Sequence, residues 1–393
     1  MNKRINIIFD YFPEDTSGGL LVTYKRLIGL LNSVYGFKIY SIYNCKKIFV
    51  DEYPDVKISS ILKNRHFPSI MSLKQNFKRC NLIGVIKEAY YFFIYFLSIP
   101  YCRLKIKSMS WNDSINICVS PATAMFLSHE MKFILEVHSN FDYFFGENRS
   151  FIGAMQAKLM QDPSLVLFRT KSDALKGSAL FNSYYIYNFF DGTEVSEIDL
   201  DVIKNRNKKI IFIGRLAPEK NLLRMLSIAN KLKKIVPDFK LDIYGTGIME
   251  ETLKKYIIDH SLTSNVELKG FCQDMSVYKD YSLLWITSDY EGFGLVIIEA
   301  KANGVPTIST NWGEGVFEVI ENKKNGLILS KDEEFVHQTI KLWDNDTSLL
   351  EMSQNALESF SKFSKEEAYK NWIKILSKYV DDDYNFVLKQ EEL

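Results

Sequence analysis

The amino-acid sequence predicts an α/β protein with two parallel-sheet domains. Short apolar runs alternate with longer helix-compatible stretches, and one polar stretch near the middle of the chain interrupts this alternation. The 393 residues also exceed what one hydrophobic core usually organises. A content of 47% hydrophobic and 14% aromatic residues excludes a disordered or collagen-like chain. We therefore expect two βα series, each forming a sheet with helices on both faces.

Six apolar or β-rich runs predict the strands of the first domain, which we place at residues 1–190. Helix-compatible stretches such as Leu20 to Leu31 separate these runs, so the strands should pair in parallel. The predicted strands are Ile5 to Phe9, Phe37 to Ile42, Ile115 to Val119, Phe133 to Val137, Leu165 to Phe168 and Tyr184 to Tyr187.

Residues 191–209 are charged, contain few large apolar side chains, and are interpreted as a linker. The alternation resumes across residues 210–360, which we assign to the second domain. Residues 361–393 should hold a final helix, because Ser364 can cap it and Trp372 and Leu376 follow at helical spacing. The predicted strands of the second domain are Ile210 to Ile213, Lys240 to Tyr244, Asn265 to Leu268, Leu283 to Ile286, Thr307 to Ser309 and Gly326 to Leu329.

The five cysteines indicate neither a zinc site nor a disulfide framework. They form no CxxC pair and have no histidine at ligand spacing. Reduced thiols, and hence a cytoplasmic protein, are expected.

The formal charge of +1 is distributed unevenly along the chain. Residues 1–190 carry 23 basic and 14 acidic residues, whereas the remainder carries 26 basic and 34 acidic ones. Near neutrality overall argues against a protein that coats nucleic acid. Residues 46–107 hold most of the basic excess, with 12 basic and 4 acidic residues and interspersed Tyr and Phe. This segment could contact an anionic membrane surface or form an ordinary solvated exterior.

No membrane-spanning segment is expected from the sequence. The aromatic run Ala89 to Pro100 has only 12 residues, whereas a spanning helix needs about 20 apolar ones. The apolar stretch Ile5 to Phe9 is too short for the core of a signal peptide.

Two cations follow the first predicted strand of the second domain. That strand runs into Gly214, and Arg215 and Lys220 then stand five residues apart around a proline-bearing turn. Arginine offers a planar fork for phosphate oxygens and lysine a point charge, so the pair could hold a diphosphate and neutralise it as it leaves. The structural alternative is that Lys220 only neutralises surface carboxylates.

Two glutamates, Glu291 and Glu299, follow the predicted strand Leu283 to Ile286. Gly292 and Gly294 between them would let backbone amides approach a ligand, and a helix beginning near Gly294 would aim its amino terminus at an anion. A glutamate within an apolar helical run is costly without partners, which makes Glu299 informative. Glu299 could address a second part of the ligand or bond only to backbone amides.

Gly214 and Arg215 with Lys220, followed by Glu291 and Glu299 in an E-x7-E pattern, resemble the retaining glycosyltransferases of family GT4. The resemblance covers nearly the whole chain. It implies the GT-B fold, with two Rossmann-like domains facing each other across a cleft. It also implies that the final helix, within residues 361–393, crosses back to the first domain. It also implies transfer of a sugar from a nucleotide sugar to an acceptor.

The resemblance implies a role for each motif. Arg215 and Lys220 would bind the donor diphosphate, Glu291 the hydroxyls of the transferred sugar, and Glu299 the ribose hydroxyls. His138, at the end of a predicted strand, would face the transferred sugar, although a histidine there is often structural. The other implied donor-binding positions are the glycine-loop residues Gly18 and Gly19, the loop residues Gly214, Gly245, Gly270 and Phe271, and the helix-start residues Gly292, Phe293, Gly294 and Leu295. Gly245 and Gly270 could equally mark ordinary βα turns.

The implied mechanism is front-face transfer with retention, in which the departing phosphate accepts the proton of the acceptor. No cofactor is expected, and metal independence is predicted because no DxD motif follows a predicted strand. The expected donor carries a hexose or an N-acetylhexosamine, with UDP preferred as its nucleotide. The expected acceptor is a glycan, a lipid-linked intermediate or a cell-surface polymer, met on the inner face of the cell membrane.

Two other functions remain open. The chain could be a catalytically silent partner or scaffold of another transferase, although the set Arg215, Lys220, Glu291 and Glu299 argues against that. It could also be a nucleotide-sugar isomerase, which would need no acceptor and would leave the basic aromatic surface unused.

Overall fold

The computed structural model describes residues 3–10, 19–43, 53–62, 76–77, 81–109, 111, 113–147, 149, 151–192, 197–272 and 274–381. Within these residues the strands form two separate sheets, and every strand pair is parallel. Helices connect the strands. The α/β fold class predicted from the sequence is therefore confirmed.

The first sheet has seven strands in the order β3-β2-β1-β4-β5-β6-β7. The order changes direction at β1, which pairs with both β2 and β4, and ligands bind at such points in open α/β sheets. The strands are β1 Arg4–Phe9, β2 Gly36–Ser41, β3 Lys57–Ser60, β4 Ser114–Cys118, β5 Ile134–Val137, β6 Leu165–Phe168 and β7 Ser183–Tyr185.

The second sheet has six strands in the order β10-β9-β8-β11-β12-β13, with its change of direction at β8. Both faces of its central strands are buried, which explains why β11 reads as an uninterrupted apolar run. The strands are β8 Lys209–Ile213, β9 Lys240–Tyr244, β10 Val266–Gly270, β11 Leu283–Ile286, β12 Thr307–Thr310 and β13 Gly326–Leu329.

Helices cover the sheets. Those described in the first part of the chain are α1 Gly19–Leu31, α2 Leu82–Lys107, α3 Pro121–Ala124, α4 Phe141–Phe144, α5 Phe151–Leu159 and α6 Lys171–Gly177. Those that follow are α7 Leu200–Arg206, α8 Leu222–Lys233, α9 Glu250–Asp259, α10 Leu295–Ala302, α11 Val316–Val319, α12 Asp332–Trp343, α13 Asp346–Glu358 and α14 Lys365–Val380. Short 3-10 turns lie at Pro218–Lys220, Met275–Asp280 and Ser359–Phe363.

The chain divides into two compact units. The first contains Met1–Ile186 and Tyr369–Leu393, and the second contains Tyr187–Ala368. The sequence-based boundary was placed a few residues later, after Phe190, because the charged stretch from Asp191 was interpreted as the linker. In the structure Tyr187 packs against Phe293, and Phe190 packs against Phe360, so these aromatic residues join the second core.

The segment interpreted as a linker contains helix α7. Its Arg206 is buried and donates hydrogen bonds to the carbonyls of Lys279 and Asn303, at 2.6 Å and 3.1 Å. These bonds fasten the helix to the second unit. A highly charged stretch is therefore not always a linker. It can form a helix when one of its cations, here Arg206, is buried and makes hydrogen bonds.

Helix α2 corrects the expectation drawn from the aromatic run at Ala89 to Pro100. The helix has 26 residues, and the structure shows that the charged flanks of the run belong to it. An 18-residue window of α2 has a mean hydropathy of 1.5, so among the described residues this helix is long and apolar enough to cross a membrane by length and composition. The prediction that this segment is too short to cross a membrane was therefore wrong.

One face of α2 packs into the core of the first unit. Tyr95, Ile99, Cys102 and Ile106 are buried on that face. Arg103 donates to two backbone carbonyls of the same unit, at 3.0 Å and 2.8 Å. The helix therefore lies on the first sheet domain as one of its structural elements.

Candidate functional site

Two loops at the carboxyl edge of the second sheet are tied through their backbones to the ends of neighbouring strands. Beyond the end of β8, the Gly214 amide donates to the Tyr244 carbonyl at 3.0 Å. The Gly245 amide donates in turn to the Gly270 carbonyl at 2.7 Å. The loops after β8 and β9, with the end of β10, thus extend the sheet's hydrogen bonding beyond the strands and form one platform.

Gly245 makes this platform possible. Its φ of +135° is rare for residues with a side chain, and a Cβ atom there would lie 1.8 Å from the Gly214 carbonyl oxygen. Gly270 also has a positive φ, +73°, but open space around it. The close approach of two loops is a structural reason for Gly245 that requires no ligand, so its predicted contact with a donor stays a prediction.

Lys220 and Glu291 come together at this edge as an ion pair. Lys220 Nζ donates to both carboxylate oxygens of Glu291, at 2.6 Å and 2.7 Å, and the Ser288 hydroxyl donates to one of them at 2.7 Å. Only 16% of the Lys220 side chain and 10% of the Glu291 side chain are exposed. Lys220 and Glu291 are 71 residues apart in the sequence, which assigned both to one site, and the structure brings them into contact.

Local backbone features hold Lys220 in place. The 3-10 turn Pro218–Lys220 ends at Asn221, whose φ of +49° turns the chain into helix α8. The Thr287 hydroxyl, just beyond β11, donates to the Lys220 carbonyl at 3.2 Å. The turn after β8 is thereby attached to the loop that carries Glu291.

Arg215 takes a different position from Lys220. Its guanidinium donates to Glu219 at 2.7 Å, and 71% of its side chain is exposed. The two cations expected to share a diphosphate thus hold separate carboxylate partners. Arg215 is the more accessible of the two.

Helix α10 begins at Leu295, directly after Gly294 with its φ of +82°. The helix thus starts where the sequence predicted it. Backbone amides at the start of a helix have no intrahelical partners and can bind an anion. The Phe293 side chain is buried and packs against Tyr187 and Phe363, at centroid distances of 5.8 Å and 5.9 Å. Phe293 can therefore offer a ligand its backbone but not its ring.

Glu299 is buried on α10, near the loop after β10. Burial raises the pKa of the Cys272 thiol in that loop, and the negative charges of Asp274 and Glu299 add to the effect. Phe271 in the same loop is 57% exposed. This loop therefore carries an accessible aromatic ring, Phe271, and lies near the acidic side chain of Glu299. The resemblance to glycosyltransferases puts the nucleoside here.

A second polar cluster lies in the first unit, around His138 at the end of β5. Arg169 Nη2 lies 3.0 Å from Glu136 Oε2 and 3.2 Å from His138 Nε2. The Tyr24 hydroxyl donates to Glu136 and lies 3.1 Å from His138 Nε2. Tyr24, Glu136 and Arg169 are almost wholly buried, while 18% of the His138 side chain is exposed.

Burial and Arg169 set the charges in this cluster. Burial by itself would raise the pKa of the Glu136 carboxyl, but the Arg169 guanidinium together with His138 and Tyr24 outweighs it and lowers that pKa to about 2. Burial and the Arg169 charge lower the pKa of His138 to about 4, against the opposing effect of Glu136. At neutral pH the cluster holds an ionised carboxylate, a guanidinium and a neutral imidazole.

Other predicted site residues have simpler outcomes. Gly19 is the first residue of helix α1. Gly18 lies outside the described residues. Across the described parts of the chain, no group of three or more His, Cys, Asp and Glu side chains could hold a metal ion.

Sequence reasoning missed Tyr24, Glu136 and Arg169. One signal for Glu136 was available, because a glutamate inside the apolar strand β5 is as costly without partners as Glu299 inside its helix. The partners themselves could not be read from the sequence. They come from α1 and from the end of β6, and only the fold brings them together.

Comparison with known proteins places the second unit in a family. Residues 198–359 match the family described as glycosyl transferases group 1. The poly(glycerol-phosphate) alpha-glucosyltransferase of Bacillus subtilis (strain 168) is 29% identical over 184 residues, which cover 46% of this chain and 27% of that protein. The poly(ribitol-phosphate) alpha-N-acetylglucosaminyltransferase of Staphylococcus aureus (strain COL) is 27% identical over 203 residues, covering 50% of this chain and 41% of that protein. The chain thus matches less than half the length of either relative.

A solved structure extends the likeness to both sheets. The chain resembles a mutant of S. aureus TarM, crystallised with fondaparinux, alpha-GlcNAc-glycerol and UDP, with a TM-score of 0.72 and 17% identity. The match covers 95% of this chain and 99% of that chain. Likeness at this level of identity shows the fold. The second unit therefore contains a glycosyl transferases group 1 domain, and the chain has the GT-B fold with its two parallel-sheet α/β domains.

Proposed function

We propose that this chain is a retaining glycosyltransferase that moves a hexose or N-acetylhexosamine from a UDP sugar to a glycan, a lipid-linked intermediate or a cell-surface polymer. The observation that carries the proposal is the Lys220–Glu291 ion pair, four residues before the start of α10, within the group 1 domain. A cation, a carboxylate and the amides of a helix start lie close together there. These groups match the charges and hydroxyls of a nucleotide sugar.

Donor binding would redistribute the ion pair. A diphosphate carries more negative charge than the Glu291 carboxylate, so it would attract the Lys220 ammonium. Glu291, still held by Ser288, would then accept hydrogen bonds from the sugar hydroxyls. Arg215 is mostly exposed and would turn from Glu219 to the same diphosphate.

Stabilisation of the leaving group is the main catalytic task of these residues. Transfer breaks the bond between the sugar and the diphosphate, and negative charge builds up on the departing phosphate. Lys220, Arg215 and the amino terminus of α10 would stabilise that charge. The departing phosphate would take the acceptor's proton on the same face, which retains the anomeric configuration. We expect this reaction to proceed in EDTA.

The names of two relatives support retention and a polymeric acceptor. One is an alpha-glucosyltransferase that acts on poly(glycerol-phosphate), and the other is an alpha-N-acetylglucosaminyltransferase that acts on poly(ribitol-phosphate). UDP-glucose and UDP-N-acetylglucosamine carry their sugars in α linkage, so α products imply retention. UDP in the TarM crystals supports the choice of nucleotide.

Charge supports an anionic acceptor. Residues 1–190 contain 23 basic and 14 acidic residues. A polyol-phosphate polymer carries a negative charge at each phosphodiester and would be attracted to such a surface. We therefore favour an anionic cell-surface polymer over a neutral glycan as the acceptor.

We also propose that the first unit contacts the inner face of the cell membrane through helix α2. Its outward face carries a stripe of eight large apolar side chains, each at least 54% exposed. They recur every three or four residues, which gathers them within a sector of about 120° on the helix. The members of this exposed stripe are Leu82, Ile83, Ile86, Tyr90, Phe93, Leu97, Tyr101 and Leu104.

Lysines border the exposed stripe. At 3.6 residues per turn, Lys87 and Lys105 fall along one edge and Lys107 along the other. An apolar stripe with bordering lysines suits a helix that lies in the plane of an anionic bilayer. A paired helix from a second copy fits less well, because the stripe contains aromatic rings and Pro100 interrupts the same face, whereas coiled coils favour Leu, Ile and Val.

Incubation of the full chain with UDP and GDP sugars, with and without acceptor polymers, tests the proposed activity. Release of UDP that requires a polyol-phosphate polymer would support the transferase. Conversion of the nucleotide sugar without acceptor would identify an isomerase instead. Absence of turnover, together with tight binding to another transferase, would identify a silent partner.

A further inference from the structure

The cluster around His138 surrounds one histidine with a buried phenol, a carboxylate and a guanidinium. We infer that Tyr24, Glu136 and Arg169 hold His138 as a neutral imidazole with its proton on Nδ1. Nδ1–H then becomes a fixed hydrogen-bond donor at the carboxyl edge of the first sheet. Tyr24, Glu136 and Arg169 act through His138 and are positioning residues.

Arg169 decides which ring nitrogen carries the proton. A guanidinium can only donate, and Arg169 Nη2 has two hydrogens. One of them has His138 Nε2 as its acceptor at 3.2 Å, and Nη2 also forms an ion pair with Glu136 Oε2 at 3.0 Å. Nε2 can accept only if it carries no hydrogen. The proton of the neutral ring is therefore on Nδ1.

The opposite tautomer would leave a buried charge-bearing donor unsatisfied. A hydrogen on Nε2 could point to Tyr24 or Glu136, at 3.1 Å and 3.4 Å. It would also face the Arg169 Nη2 hydrogen that is directed at Nε2, which would then have no acceptor there. Because Arg169 is 2% exposed, water cannot readily take that place.

The remaining groups near the cluster do not change this assignment. Tyr24 on α1 uses its only hydrogen for Glu136, and burial raises its pKa well above the ordinary value. Burial also raises the pKa of the Cys118 thiol at the end of β4, with smaller contributions from the charges of Asp10 and Glu136. Both groups therefore stay protonated at neutral pH. Glu136 and Arg169 are the charged groups that face the ring directly.

This arrangement gives His138 a defined chemical ability. Its Nε2 lone pair is occupied by Arg169, and its Nδ1 already carries a proton, so the ring cannot take a proton from an acceptor hydroxyl. Among the residues described, none accepts a hydrogen bond from Nδ1. Nδ1–H can thus bind a sugar or phosphate oxygen. This use rests on the proposed transfer reaction, in which the departing phosphate rather than a protein base receives the proton.

Nuclear magnetic resonance of histidine-labelled full-length protein tests the inference without requiring activity. The His138 signal is identified by its absence from the His138→Gln variant, since the chain has five histidines. We expect ¹⁵N and ¹³Cδ2 shifts of the Nδ1–H tautomer, unchanged between about pH 5 and pH 8. An Nε2–H tautomer, or titration near the ordinary histidine pKa of about 6.5, would overturn the inference.

A double variant separates positioning from simple packing. Glu136→Gln with Arg169→Met removes both charges together, so no buried charge is left unpaired. Both tautomers of His138 should then appear, because Nε2 no longer faces a guanidinium that can only donate. Arg103→Met is the matched control, because Arg103 also donates to carbonyls of the first unit but does not contact His138. An unchanged His138 signal in the folded double variant would contradict the positioning role.

Discussion

Lys220 and Arg215 are the residues on which the proposed chemistry depends most directly. We expect Lys220→Ala and Arg215→Ala each to lower turnover about a hundredfold, which corresponds to about 3 kcal/mol, because each removes a donor that stabilises the leaving diphosphate. Steady-state rates with a UDP sugar measure the effect. Lys231→Ala is the control, since Lys231 pairs with Glu333 in the same unit and has no assigned role. A folded double variant with the wild-type rate would contradict the diphosphate assignment.

His138 should make the stability of the first unit sensitive to acid. Burial and Arg169 lower its pKa to about 4, so between pH 6.5 and pH 4 the unfolded chain binds more protons than the folded one. The neutral ring therefore contributes to the free energy of unfolding above about pH 6.5, and this contribution is lost as the pH falls through 4. Over this window it amounts to about 3 kcal/mol.

Denaturant unfolding of wild type and His138→Gln at pH 7 and pH 4 measures this contribution. We expect the free energy of unfolding of the wild type to fall more than that of the variant. Glu136 adds a second loss at lower pH, because its folded pKa of about 2 lies below its ordinary value. Equal pH dependence of wild type and His138→Gln would refute the lowered histidine pKa.

The proximity of two residues was predictable where each lies in a short pattern at a strand end. Lys220 and Glu291 each follow a strand end in a recognisable motif, and the fold brings them into contact. The partners of His138 have no such pattern, because Tyr24 and Arg169 lie on other elements. Their roles follow only from distances in the folded protein.

Among the loops, the glycine contacts lead to a prediction about stability. Gly245→Ala and Gly270→Ala both put a side chain at a positive φ, but only the first would drive a Cβ into a backbone carbonyl. We expect Gly245→Ala to lower the free energy of unfolding by about 2 kcal/mol more than Gly270→Ala does, because the loops after β8 and β9 must separate. Denaturant unfolding of the two variants tests this. Equal losses would mean that the backbone contact is unimportant.

Helix α2 leads to a prediction about membranes. We expect the full chain to sediment with vesicles containing anionic lipid, and less so as salt rises. Replacing Phe93, Leu97 and Tyr101 by Gln should reduce binding severalfold. Replacing Phe151 and Leu180, which are exposed apolar residues elsewhere in the first unit, should not.

The result for the control pair decides how the exposed stripe acts. Loss of binding only with the stripe variant supports a membrane face. Equal pelleting of both variants would contradict it. A concentration-dependent dimer in the absence of vesicles, abolished by the stripe variant, would assign the stripe to a second copy instead.

The order of strands and helices was largely predictable because buried parallel strands form compact apolar runs. All twelve predicted strands start within one residue of the observed ones, as at Leu165–Phe168. Strand β3, with the sequence K-I-S-S, was missed because it lies at the sheet edge and is only half buried. The length of helix α2 was underestimated, because charged residues within a helix interrupt an apolar run without ending the helix.

At the scale of the whole molecule, charge and fold point to the same reaction. The fold is that of GT-B proteins, and the second unit holds the group 1 domain. The first 190 residues carry the basic excess, while the remainder is acidic overall. This distribution supports the proposal that one half of the chain attracts an anionic polymer while the other half holds a nucleotide sugar.

The anomeric configuration of the product tests the central claim most directly. The full chain is incubated in EDTA with UDP-glucose or UDP-N-acetylglucosamine and a polyol-phosphate polymer, and the anomeric coupling in the product is read by nuclear magnetic resonance. The account predicts UDP release that depends on the polymer, and a new sugar in α linkage. A β-linked product, or the same UDP release without the polymer, would contradict retaining transfer.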